Sequence, residues 1–231
     1  MQLKHLLIIP DGNRRWAKKN KLQASKGHQI GAATTRKLFQ YVANYHPEIK
    51  YCSFWAMSKD NFAKRPKKEI NFLIKLIHAE IQEFANDPLI EKRKVNVKFY
   101  GAYEQYLDKK TIKDLRQVEQ RTANYTNCYV SILLVYNGKD ELIEGLKNIK
   151  NTKHITDSQI KNSLWTRRLP NVDLIVRTGV EGDPHLSGNV LLWQTDYSQL
   201  YFTKTLYPEF TTQELGLAIA DYKTRMRRHG K

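Results

Sequence analysis

A chain of 231 residues that is 41% hydrophobic and 11% aromatic can bury a full core, and it fits one larger domain spanning 1–231 better than two. No apolar run approaches the roughly 18–20 residues of a membrane span, and the apolar part of MQLKHLLIIPDG is too short for a signal peptide, so a cytoplasmic protein is expected. The net charge of +16, from 39 Lys and Arg against 23 Asp and Glu, attracts anions such as phosphorylated substrates, lipid surfaces or nucleic acid.

Leu6–Ile9 is a short apolar strand that breaks at Pro10–Asp11–Gly12–Asn13 and resumes as a basic helix over Arg14–Asn20. A helix start offers free N–H donors to phosphate, with Arg14 and Arg15 beside it. An acid in such a place, Asp11, usually holds a cation such as Mg²⁺. From this stretch alone, the plainer alternative is an Asp–Gly turn flanked by surface arginines. An amphipathic helix follows along Ile30, Ala33, Thr34, Leu38, Tyr41, Val42 and Tyr45, ending near Pro47. Tyr51–Met57 reads as a strand that stops at Ser58–Asn61. Ile70–Phe84 is a helix whose stripe, widened by Phe72 and Leu76, suits a deep core or the wall of an apolar tunnel.

Val95–Tyr100 is a third strand, Tyr106–Asn124 a polar helix and Tyr129–Tyr136 a fourth strand. Lys139–Ile149 and Thr156–Leu164 read as short helices and Val172–Val176 as a fifth strand. Leu191–Phe202 leads into a short strand expected at Thr203–Leu206. Thr211 and Glu214 form a capping box that opens a last helix along Leu215, Ile219, Tyr222 and Met226. Cys52 and Cys128 lie in separate apolar runs and read as buried thiols, and the histidines show no metal-ligand spacing. Much of the positive charge is lysine spread along the chain, as in KRPKK and EKRKVNVK. It resembles solvated surface, so nucleic acid is not the expected partner.

Strands alternating with helices predict an α/β fold: a single domain with a mostly parallel central sheet flanked by helices. Ligands bind such sheets beyond the carboxyl ends of the strands. That edge would gather Asp11, Asn13, Arg15, Ser58, Asn61 and Arg177, a set suited to a diphosphate with Mg²⁺.

Several ordered motifs give the chain a resemblance to the cis-prenyltransferases, the family of undecaprenyl diphosphate synthase. DGNRRWAKK with Gly27–His28 and Gly31 resembles the family's DGNxRWA…GHxxG, and SKDNFAKRPKKEINFL resembles its SxENWxRPxxEVxxL. VDLIVRTG, LLWQTDYSQLYFT, YPEF and Arg228–His229–Gly230 resemble its C-terminal block. The resemblance implies a parallel sheet with an apolar product tunnel, which favours the tunnel reading of Ile70–Phe84, and a homodimer. It implies isoprenoid diphosphate substrates, joined with a new cis double bond, and a peripheral membrane contact through a lipid product.

The residue roles come from the same resemblance. Asp11 would bind Mg²⁺. Gly12, Asn13, Arg14, Arg15 and His28, beside Trp16, would surround the allylic diphosphate, with Arg65 following in the second motif. Ser58 and Asn61 would position the reacting end of isopentenyl diphosphate, and Phe62 stands where the family has Trp. Arg177 and Ser187 would hold that second diphosphate, and Arg228 and Gly230 would reach a diphosphate across a dimer.

The departures cluster at the second substrate. RTGVEGDPHLS replaces RTGGExRxS, so His185 stands for a phosphate-binding Arg, and Gln199 stands for a second acid. Asp196 is a substitute metal ligand, with Glu181 and Asp183 as others, and Ala24 replaces another phosphate-side Arg, with Lys26 nearby. Three readings stay open: regular cis-prenyl extension, irregular lavandulyl-type coupling of dimethylallyl diphosphates, and a catalytically poor partner subunit, against which the intact Asp11 argues.

Overall fold

The computed structural model describes residues 2–149 and 154–225. The chain runs β1 (His5–Ile9), α1 (Asn13–Lys19), α2 (Ala24–Tyr45), β2 (Tyr51–Ser58), α3 (Lys59–Lys64), α4 (Lys67–Ala85), α5 (Pro88–Lys92) and β3 (Val95–Tyr100). It continues through α6 (Lys109–Arg121), β4 (Cys128–Tyr136), α7 (Gly138–Lys147), α8 (Asp157–Ser163), β5 (Leu174–Arg177), β6 (Gln199–Phe202) and α9 (Thr212–Thr224). The six strands form one sheet in the order β3-β4-β2-β1-β5-β6, and every neighbouring pair is parallel.

The expected α/β sheet is present, and its central strand β1 is buried at every position, as a parallel strand covered on both faces must be. Leu6 and Ile8 point into the larger core with α2, α4, α6 and α9, while Leu7 and Ile9 meet Leu133, Ile175, Val190 and Leu191 on the other face. Cys52 and Cys128 are buried free thiols, as expected. The sixth strand is Gln199–Phe202 and not Thr203–Leu206; the later segment bonds back through backbone contacts from Gly179 and Val180 to Thr205 and Thr203. The stop at Ser58–Asn61 is the start of a short helix that the apolar pattern does not signal: the Ser58 hydroxyl caps α3 by accepting from the Asn61 N–H at 3.0 Å. Met226, Arg228 and Gly230 lie outside the described residues.

Two packing details set the site's frame. His5 is wholly buried on the face of Leu7, its ring nitrogens 2.9 Å from the Pro170 carbonyl and 2.8 Å from Ser53 Oγ. Helices α1 and α2 meet at glycines: a Cβ on Gly27 would lie 2.2 Å from the Asn13 carbonyl oxygen, and one on Gly31 would lie 2.1 Å from Asn13 Oδ1. Gly27→Ala therefore forces α1 away from α2, with an expected loss of ~1–3 kcal/mol by thermal melting; an unchanged melting curve would show that the contact yields freely.

Burial lowers the His5 pKa from 6.5 to about 4, with the Pro170 carbonyl and Asp173 opposing it. Unfolding then takes up a proton between those values, so stability is lost as pH falls from 6.5 towards 4. The loss from this group is ~3 kcal/mol at the lower end. Urea titrations at the two pH values should show wild type losing that much more than His5→Asn, and equal losses would place the acid sensitivity elsewhere.

Candidate active site

The carboxyl ends of β1, β2 and β5 lie side by side and are followed by the polar segments expected from the sequence. Gly12 takes a φ of 112° to turn the chain from β1 into α1, a conformation that disfavours side chains. Asp11 is fastened through its backbone: its N–H donates to Thr178 Oγ1 at 3.0 Å, and its carbonyl accepts from Thr178 Oγ1 at 2.7 Å and from the Tyr207 N–H at 3.0 Å. Its carboxylate is clamped between Arg15 Nη2 and Arg177 Nη2, each at 3.1 Å. Arg177 is buried; its Nη1 donates to Ser187 Oγ at 3.0 Å and to the His185 carbonyl, while its Nε has no partner. Asn13 Oδ1 is likewise buried without a partner.

A second cluster sits opposite. Glu69 Oε1 lies 3.7 Å from Arg14 Nε, 3.3 Å from His28 Nε2 and 3.4 Å from Arg65 Nη1. Burial, with Arg65 adding to it, lowers the His28 pKa against the opposing pull of Glu69, which favours a neutral ring. Burial also lowers the pKa of Arg65. Glu69 has no role in the sequence reading; the available signal was its place four residues after Arg65, across Pro66 and in the first turn of α4.

A cavity of about 910 Å³ takes in this mouth and continues between α2, α4 and the sheet. Leu73, Leu76, Ile77, Ile81 and Phe84 of α4 line it, so the wide stripe of that helix faces a tunnel, although Ile70 and Phe72 do not contribute to the lining. The helices run side by side from His28 and Glu69 at the mouth to Phe39 and Phe84, whose rings lie 5.2 Å apart. Trp55 also lines the cavity and was not singled out from sequence; its Nε1 donates to the Tyr136 carbonyl at 3.3 Å, and its ring packs on Gly188.

The cavity walls include Asp11, Gly12, Asn13, Arg14, Arg15, His28, Ser58, Asn61, Arg65, Arg177 and Ser187, so the structure brings these expected residues together. Three others are directed elsewhere. Trp16 donates through Nε1 to Glu209 at 2.9 Å, and Phe62 packs edge-on against Tyr106 with ring centroids 4.7 Å apart. The exposed His185 ring turns to Asp183 at 3.1 Å, so only its backbone reaches Arg177.

The expectation for Gln199 and Asp196 needs correction within one chain. Register pairs Gln199 with Leu174 and Leu174 with Leu6, which places Gln199 at the opposite end of the strands from Asp11, and Asp196 precedes it. Gln199 Oε1 instead accepts from Arg225 Nη1 at 3.3 Å. Glu181 reaches Arg15 Nη1 at 3.8 Å and does not join Asp11.

Among the described residues no group of three or more His, Cys, Asp or Glu side chains is arranged to hold a metal. One carboxylate facing a basic pocket nevertheless fits Mg²⁺, which commonly takes one or two carboxylates together with water and substrate phosphate oxygens. No helix among the described residues is long and apolar enough to cross a membrane.

A family model described as "Putative undecaprenyl diphosphate synthase" matches residues 9–230. The chain is 35% identical to an isoprenyl transferase of Wolinella succinogenes, over 99% of this chain and 97% of the relative. It is 34% identical to a tritrans,polycis-undecaprenyl-diphosphate synthase (geranylgeranyl-diphosphate specific) of Pyrobaculum aerophilum, over 98% and 95%. Among solved structures, a probable undecaprenyl diphosphate synthase from Campylobacter jejuni superposes with a TM-score of 0.80 at 29% identity, covering both chains completely. Lavandulyl diphosphate synthase from Lavandula x intermedia, in complex with dimethylallyl diphosphate, superposes with a TM-score of 0.90 over 100% of this chain and 99% of that one; at 24% identity this likeness shows the fold alone. The chain belongs to the undecaprenyl diphosphate synthase family of prenyltransferases.

Proposed function

We propose that this prenyltransferase joins isopentenyl diphosphate to an allylic diphosphate, forming a new carbon–carbon bond with a cis double bond and releasing diphosphate and a proton. The observation that carries this reading is the Asp11 carboxylate between Arg15 and Arg177 at the mouth of an apolar tunnel. The basic mouth suits the two diphosphates, and the tunnel suits the hydrocarbon chain.

Bond formation needs a cationic allyl group, so charge accumulates on the departing diphosphate. Gly12, Arg14 and Arg15 are assigned to that group, with Asn13 and His28 beside it, a reading supported by their shared place in the cavity wall. Their dipoles and charges are already oriented, the arrangement that contributes most to catalysis of this type. Asp11 would hold Mg²⁺, whose charge stabilises the departing diphosphate. Arg177 and Ser187 are assigned to the diphosphate of isopentenyl; both line the cavity. Ser58 and Asn61 are assigned to the reacting end of that substrate. A diphosphate arriving at either cluster replaces a carboxylate, Asp11 or Glu69, as the partner of arginines already in place.

The reading extends to a homodimer, with Arg228 and Gly230 reaching across it, and to a peripheral membrane contact during release of a lipid product. The edge strand β6 and the segment before it expose Leu192, Tyr197 and Leu200, which gives a second copy an apolar surface. Sedimentation of the purified protein should give twice the chain mass of 27.1 kDa, and a monomer at every concentration would remove the dimer.

Purified protein with Mg²⁺ should convert isopentenyl diphosphate plus an allylic diphosphate to longer prenyl diphosphates, read by mass spectrometry. Product from dimethylallyl diphosphate alone would replace regular extension with irregular coupling, and no product from any pair would sink both enzyme readings. Asp11→Ala should lower the turnover number by ~10²–10³ in protein that still folds, with a lowered melting temperature because buried Arg177 loses its carboxylate; near-normal turnover would remove Asp11 from the chemistry.

A further inference from the structure

Beyond the diphosphate mouth the cavity wall is apolar except at three residues of its helical side, Thr35, Arg36 and Glu80. Thr35 has its own partners: its hydroxyl lies 3.1 Å from the Gly31 carbonyl and 2.7 Å from Tyr207 Oη. Arg36 on α2 and Glu80 on α4 instead face each other across the gap between the two helices, with Nη1 to Oε2 at 3.4 Å. Arg36 also reaches Glu83 one turn outward, a residue that does not line the cavity.

The side chains of Arg36 and Glu80 are 27% and 24% exposed, so the pair has one side towards solvent and one towards the tunnel. It lies eight residues beyond His28, or ~12 Å along the axis of α2 from the mouth. Below it the helices meet again through Phe39 and Phe84. Burial already raises the Glu80 pKa against the pull of Arg36, which marks incomplete hydration of the carboxylate.

A hydrocarbon chain entering from the mouth runs between the sheet and these helices. While its end stays short of Arg36 and Glu80, each added carbon buries against apolar wall. When the end reaches the pair, it displaces water from the inner side of two charges, whose desolvation opposes further burial.

We propose that the Arg36–Glu80 pair is a specificity-determining latch in the side wall of the tunnel, setting the chain length beyond which further carbons are no longer held favourably. The proposal rests on reading the cavity as the prenyl-chain tunnel and deepens that reading. The pair touches the chain far from the reacting atoms, so its effect lies in length selection and not in the chemical step.

The test uses binding, and so does not depend on turnover. Unreactive saturated alkyl diphosphates of increasing length are titrated into the full chain with Mg²⁺ by calorimetry, for wild type, Glu80→Ala, Glu80→Gln, Arg36→Ala and the double change Arg36→Leu with Glu80→Leu. In wild type, affinity should rise by about fourfold per buried methylene and then level off. In the double-leucine variant the rise should continue to longer chains; the single alanine variants, which keep one charge in the wall, should level off between it and wild type. Glu80→Gln, which removes the charge and keeps the shape, should fall between wild type and the alanine variants, and melting curves identify any variant that has lost its fold. The same levelling point in wild type and in every folded variant would overturn the latch while leaving the tunnel in place. Affinity independent of chain length in wild type would overturn the tunnel reading and the latch with it.

Discussion

The join between the ends of β1 and β5 is the constraint on which the site depends. Thr178 holds Asp11 at both its N–H and its carbonyl, and Arg177, the preceding residue, holds its carboxylate. The parallel register of Ile9 with Arg177 brings the two segments level. Neither segment could place its polar groups alone, because a turn after a strand has few internal contacts to fix it. The hydrogen bonds between the turns convert a sheet register into a fixed distance between an acid and two guanidinium groups.

The same geometry explains how a chain with a large positive excess folds with so many cations in one mouth. Each group of cations already has a carboxylate: Asp11 for Arg15 and Arg177, and Glu69 for Arg14 and Arg65, with the neutral His28 ring beside it. Of these cations Arg177 and Arg65 are largely buried, and leaving those two without a carboxylate would cost far more than keeping the exposed lysines elsewhere. On the proposed function, binding of a diphosphate is an exchange of partners, and its net gain depends on how much better a diphosphate matches the guanidinium planes than a carboxylate does.

The sheet was legible because five of its strands are apolar runs, four of them ended by Pro, Ser, Gly or Asn and the fifth by Arg177–Thr178–Gly179, and the site was legible because its polar residues follow strands. Three things were not legible, each for a physical reason. Helix α3 is six residues with no buried member, so no apolar period marks it. Gln199 aligns by motif with an acid, yet only strand register decides which end of β6 it occupies. His185 and Trp16 carry suitable chemistry, but their rings are oriented by Asp183 and Glu209, residues whose proximity depends on the folded loops.

The segment after Arg177 is anchored at both ends. Gly179 and Val180 bond to the backbone of Thr205 and Thr203, while the Gly188 carbonyl accepts from the Gly138 N–H and its Cα lies against the Trp55 ring. Between these anchors Glu181–Leu186 is exposed. Adding residues to a loop whose ends are held costs little, since closure entropy grows only slowly with length. The rim above Arg177 can thus vary in length and composition while Arg177 and Asp11 keep their spacing, so on the proposed function substrate preference and catalytic geometry are free to change separately.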